Sequence, residues 1–163
     1  MKIFNYIALV ALFLFAPMAS FSQVNKAEIR AMGLTCSMCS NAINKSLQAL
    51  PNVTKVSTDL NTNTFTVFLD KQNTITPQIL KKSIENAGFS VGVMTLEVSK
   101  NELQSSNYIV LDKNKMQTKE SNRIQILNKG YVTNKEFKKL SKAYKTLDTG
   151  FDNGAVYHIK LVE

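Results

Sequence analysis

Between residues 27 and 98 the hydrophobic period changes twice from two to about 3.6 and back, and no other feature of the chain restricts its fold as much. Ala27, Ile29 and Ala31 alternate with Glu28, Arg30 and Met32, the pattern of a strand buried on one face, and Gly33 ends it. From Ser37 onward, Ala42, Ile43, Leu47 and Leu50 recur three or four residues apart with Asn44, Lys45 and Gln48 between them. That spacing predicts an amphipathic helix, stopped by Pro51. Residues 53–60 and 64–70 are rich in β-branched and aromatic side chains and are separated by Asn61, Thr62 and Asn63, so they read as a hairpin. Thr76 and Pro77 supply an N-cap and a first-turn proline, Leu80, Ile84 and Ala87 a buried stripe, and Gly88 a stop. A last strand covers 89–98.

The order strand, helix, strand, strand, helix, strand predicts an α+β, ferredoxin-like βαββαβ open-faced sandwich. Both helices then cover one face of a four-stranded antiparallel sheet. The other face, carrying Glu28, Arg30, Lys55, Asp59 and Thr66, is expected to be wet. Upstream, Lys2, an apolar run at 7–15, Pro17 and the small residues Ser20 and Ser22 have the layout of a signal peptide cut before Gln23. The run falls short of the ~20 residues a membrane span needs, and no Cys follows the cut to carry a lipid. The chain therefore divides into a signal peptide at 1–22, an α/β domain at 23–98, a polar linker at 99–106 and a small α/β region at 107–163. Export places the mature protein in the periplasm or otherwise outside the cytoplasm, with no stable membrane span.

Two cysteines in an exported protein would ordinarily form a structural disulfide. A bond between Cys36 and Cys39 encloses only two residues, so it would constrain the unfolded chain little. The pair suits chemistry better than stapling. Cys39 precedes Ala42 and Ile43 by three and four residues, which sets it on the inward side of the first helical turn, with Cys36 on the loop before it. Unpaired amides and the positive end of the helix dipole favour thiolate at both positions. Two converging thiolates suit a soft cation that accepts two sulfur ligands and leave room for a third donor; Cu(I) fits best.

Taken alone, the C-x-x-C spacing also matches half of a zinc site or a redox dithiol. A closed zinc site wants four ligands, and the chain has two Cys and His158, so zinc would have to be shared between two chains. A periplasmic dithiol oxidoreductase stays open as the alternative, with disulfide turnover as its signature. Against it, Pro77 opens a helix where thioredoxin-like proteins place a proline before a strand, and the Trp-Cys-Gly-Pro-Cys type of sequence is absent.

The segment Gly33-Leu34-Thr35-Cys36-Ser37-Met38-Cys39, followed by Leu47-x-x-Leu50-Pro51-Asn52-Val53 and Ile84-Glu85-Asn86-Ala87-Gly88-Phe89, resembles the heavy-metal-associated domain. That domain occurs in copper chaperones, in the N-terminal modules of metal-transporting P-type ATPases and in the periplasmic mercury-binding protein. The resemblance spans residues 25–98 and implies metal binding by Cys36 and Cys39, without catalysis. Leu34 stands where the family has a packing Met, and it implies that an apolar side chain still lies under the site. Thr35 replaces the carboxylate common in Zn(II)-handling members, which ranks Cu(I) first and Hg(II) next, ahead of Zn(II). Met38 stands where many relatives have a small residue and reads as a contact surface rather than a ligand. Phe89 occupies the position of a site-facing aromatic or Lys. The implied partners are a metal donor or acceptor protein, such as a metal-transporting ATPase or an efflux system.

The C-terminal region carries no Cys and no assignable motif. Strand-like segments lie at 107–111, 123–127 and 155–162, and Phe137, Leu140, Tyr144 and Leu147 fall at helical spacing beneath a Lys-rich face. His158, opposite Tyr157, Ile159 and Leu161, is expected to be exposed and without function; Met32 and Met94 are expected to be packing residues. The chain has 20 Lys and Arg against 12 Asp and Glu, a net +8. Lys dominates, with Arg only at 30 and 123, and the charge is spread over many elements. Nucleic-acid binding is therefore set aside in favour of solubility or an anionic envelope surface.

Overall fold

The computed structural model describes residues 24–35, 37–103, 107–111, 121–144 and 156–162; the leader, Cys36 and Leu147 lie outside them. The six expected elements of the first domain follow in order as β1 (Val24–Met32), α1 (Ser37–Gln48), β2 (Val53–Asp59), β3 (Thr64–Leu69), α2 (Pro77–Asn86) and β4 (Ser90–Ser99). β1 pairs antiparallel with both β3 and β4, and β2 with β3, which gives the ferredoxin-like order β2-β3-β1-β4.

Local chemistry accounts for the boundaries. Thr76 caps α2, its hydroxyl accepting from Ile79 N at 3.3 Å, and Pro77 fills the first helical position, where its missing N–H costs nothing. In the β2–β3 turn, Asp59 accepts from Asn61 N and the Thr62 hydroxyl, and Asn63 takes a positive φ of 54°, which an asparagine tolerates. Ile43 and Leu47 of α1 are buried and Leu50 is half-buried, but Ala42 faces solvent. A single methyl adds little area to either face, so it does not steer the helix.

The remainder of the chain is α3 (Lys100–Leu103), β5 (Tyr108–Val110), β6 (Ser121–Ile126), α4 (Asn134–Ala143) and β7 (Tyr157–Val162). These strands extend the same sheet. β6 pairs antiparallel with β4, setting Ile124 opposite Leu96; β7 pairs antiparallel with β6 and β5 parallel with β7. The full order is β2-β3-β1-β4-β6-β7-β5. The stretch at 99–106 expected as a linker starts as the last residue of β4 and the single turn α3, whose Leu103 is buried in the core; 104–106 lie outside the described residues.

One apolar core runs beneath this sheet. Ile29, Phe65, Leu96, Ile43, Leu47, Leu80 and Ile84 of the first domain share it with Ile124, Ile126, Tyr157 and Ile159. Each fully buried side chain of this size contributes about 1.5–3 kcal/mol. The tyrosines join the halves: Tyr131 meets Tyr157 edge-on at 5.8 Å, and Lys81 Nζ of α2 sits 5.3 Å from the Tyr131 ring centre.

The opposite face is wet over β1, β3 and β4, as expected. There Lys26 bridges Glu28 and Glu97 at 3.3 and 3.2 Å, and Arg123 reaches Glu28 at 2.6 Å. Toward β6 and β7 it is not bare. Val132 bridges to Val93 and Leu127 continues the alternation of Gln125, and Phe137 and Leu140 of α4 pack on these two. His158 lies on this covered side and is 1 % exposed, a correction to the exposed position expected for it. Its N–H donates to Asn128 Oδ1 at 2.7 Å.

Burial holds the His158 imidazole below its ordinary pKa. The unfolded chain then binds a proton more readily than the native one, so acid favours unfolding. The stabilisation is complete above the ordinary value of about 6.5 and is lost as pH falls below it. The thermal midpoint is expected to drop between pH 7.5 and 5.5, and to drop less in His158→Gln; equal drops in both proteins would show that His158 carries none of the dependence.

Candidate metal centre

β1 delivers the chain to the site through Gly33, which takes φ +89°, a left-handed conformation that glycine reaches without strain. The turn redirects the backbone across the end of the sheet and into α1. A Cβ at Gly33 would lie 3.9 Å from Phe89 Cδ1, so the Phe89 ring stands directly across from the turn. Phe89 follows Gly88, also at φ +89°, and its N–H is held by Ile84 O at 3.2 Å. The helix stop at the end of α2 thus places the aromatic against the loop.

Leu34 and Phe89 are both half-buried and packed on the main core. Thr35 is exposed. Cys36 lies outside the described residues. Cys39 occupies the first turn of α1 and is half-exposed, and Met38 beside it is 81 % exposed. The first turn of α1 holds no acidic side chain. Its amide dipoles favour thiolate over thiol at Cys39. Among the described residues, no three His, Cys, Asp or Glu side chains gather into a metal cluster.

The Thr76–Pro77 pair is a helix start, with Pro77 buried in the first turn of α2. Met94 is fully buried, as expected. Met32 is 42 % exposed and lies over Gly92 of β4, where a Cβ would come within 2.6 Å of Met32 Cγ. This contact at the site end of the sheet went unread in the sequence. Its one signal is a glycine inside a strand pattern, which marks a close approach.

A family model described as the heavy-metal-associated domain matches residues 28–90. A copper-transporting ATPase of Saccharomyces cerevisiae is 46% identical over 57 residues, 35% of this chain; the chain spans 6% of that relative's length. Among solved structures, the yeast copper transporter domain Ccc2a, determined in apo and Cu(I)-loaded states, is 40% identical. The match covers 40% of this chain and 88% of that one, with a TM-score of 0.37. A copper-binding domain from HMA7, a P-type ATPase, is 34% identical over 40% of this chain and 86% of its own, with a TM-score of 0.37.

Proposed function

The chain belongs, through residues 28–90, to the heavy-metal-associated domain family, and on that premise we propose that it binds Cu(I) through Cys36 and Cys39 and passes it on without catalysing a reaction. The observation that carries this reading is the placement of Cys39. It sits half-exposed in the first turn of α1, directly after a loop redirected by Gly33, with no carboxylate in that turn. Such a thiolate can take a soft cation from a partner's sulfur and surrender it again by ligand exchange, without unfolding anything. Leu34 and Phe89 pack on the core beside the Gly33 turn. Thr35 adds no hard oxygen charge, which supports Cu(I) over Zn(II). Hg(II), equally soft, is the second cation the pair could hold.

The donor or acceptor is a protein presenting its own thiolate pair; a copper-transporting ATPase, which this chain resembles over 57 residues, is one such kind. The apolar run at 7–15 and the small residues before Gln23 support a working place outside the cytoplasm. Anaerobic competition titration of the reduced protein with Cu(I), Hg(II) and Zn(II) tests the reading. Tight one-to-one Cu(I) binding is expected, with Zn(II) much weaker. Stoichiometric Cu(I) retained by a Cys36→Ser, Cys39→Ser double variant would refute it.

A further inference from the structure

Among the described helices, α4 is the most polarised. Thr133 caps it, accepting from Glu136 N at 3.2 Å. At 3.6 residues per turn, Lys135, Lys138, Lys139 and Lys142 share an arc of about 100° and extend over about 10 Å. All four are exposed. Phe137 and Leu140 occupy the opposite side and bind the helix to Leu127 and Val132, so the lysines point directly away from the sheet. Tyr144 follows at the C-terminal end, 38 % exposed.

Among the described residues no carboxylate pairs with any of the four lysines; the ion pairs there engage Lys26, Lys81 and Arg123. Among the described residues the stripe is therefore four lysines on one helix face with no ion-pair partner. Its composition says what kind of surface it fits. A folded acidic partner is normally gripped by buried aromatic or Arg anchors, and the stripe has neither. Lysines are mobile point charges, suited to many diffuse anions rather than to one fork-shaped contact. An extended plane of anionic headgroups meets those terms, with about 1 kcal/mol of attraction for each Lys at the surface.

We infer that the Lys135–Lys138–Lys139–Lys142 face of α4 docks the protein on an anionic lipid surface. The inference does not rest on the metal reading. The stripe lies on the side of the sheet opposite α1 and α2, so docking leaves the Cys39 end accessible.

The test is partition of the metal-free whole chain onto phosphatidylcholine vesicles with and without phosphatidylserine, at low and high salt. Three proteins are compared: wild type, Lys135→Gln/Lys138→Gln/Lys139→Gln/Lys142→Gln, and a control of equal charge, Lys45→Gln/Lys71→Gln/Lys82→Gln/Lys100→Gln. Residues common to all three contribute equally. Wild type is expected to favour anionic vesicles and lose that preference in high salt. The stripe variant should lose about a thousandfold of it, and the control much less. Equal losses in both variants would reduce the effect to net charge and overturn the proposal. Wild-type indifference to phosphatidylserine would overturn it too, leaving the stripe to solvent or to an acidic protein.

Discussion

A chain ended after Ser99 is expected to remain folded but to unfold roughly 10–20 °C lower than the whole protein and to self-associate as its concentration rises. The cut removes the ladder in which Thr95 to Ser99 of β4 face Gln125 to Ser121 of β6. It also uncovers Leu96 and Val98, which are fully buried in the intact chain, and removes Ile124, Ile126, Tyr157 and Ile159 from the shared core. Partial exposure of two such side chains and a lost ladder cost about 3 kcal/mol, which for a domain this small moves the midpoint by the amount stated. The bared β4 edge then offers unpaired backbone groups to a second copy. Differential scanning calorimetry and sedimentation velocity of the two proteins check both halves. A fragment as stable and as monomeric as the whole would show the C-terminal region to be a passenger.

Cys39→Ser is expected to weaken Cu(I) binding more than a hundredfold while leaving the fold and its midpoint nearly unchanged. Loss of an outer-shell partner alone costs about 10–100-fold in metal affinity, and a directly bound thiolate contributes more than that. The side chain is half-exposed in the first helical turn, so the fold loses little packing with it. Met38→Ala is the internal comparison: at 81 % exposure it should alter neither stability nor affinity by more than a few-fold. A competing Cu(I) chelator measures the affinities and circular dichroism the fold. Near-native Cu(I) affinity in Cys39→Ser would remove the thiol pair from the mechanism.

The elements between Val24 and Ser99 were legible because their signals are local. Period two at Ala27, Ile29 and Ala31, the cap at Thr76–Pro77 and the stop at Gly88 each specify an element from its own neighbours, and all three appear in the structure. What escaped reading depends on partners distant in the chain. Nothing in the alternation of β4 says that its outer edge will be taken by β6, because periodicity reports faces and not edges. His158 was placed on the correct side of its strand, opposite Tyr157 and Ile159; that this side is covered depends on Leu127, Val132 and α4, some twenty to thirty residues earlier. Ala42 failed differently, since a residue with one methyl group fits either side of a helix.

With β4 covered, the edges of the described sheet are β2, which carries Lys55 among polar neighbours, and β5, three residues long. Charged and very short edges are poor templates for a foreign strand. An open strand edge can seed fibres. In this chain the outer edge of β4 is sealed by the chain's own C-terminal half, so colloidal durability is built into the topology.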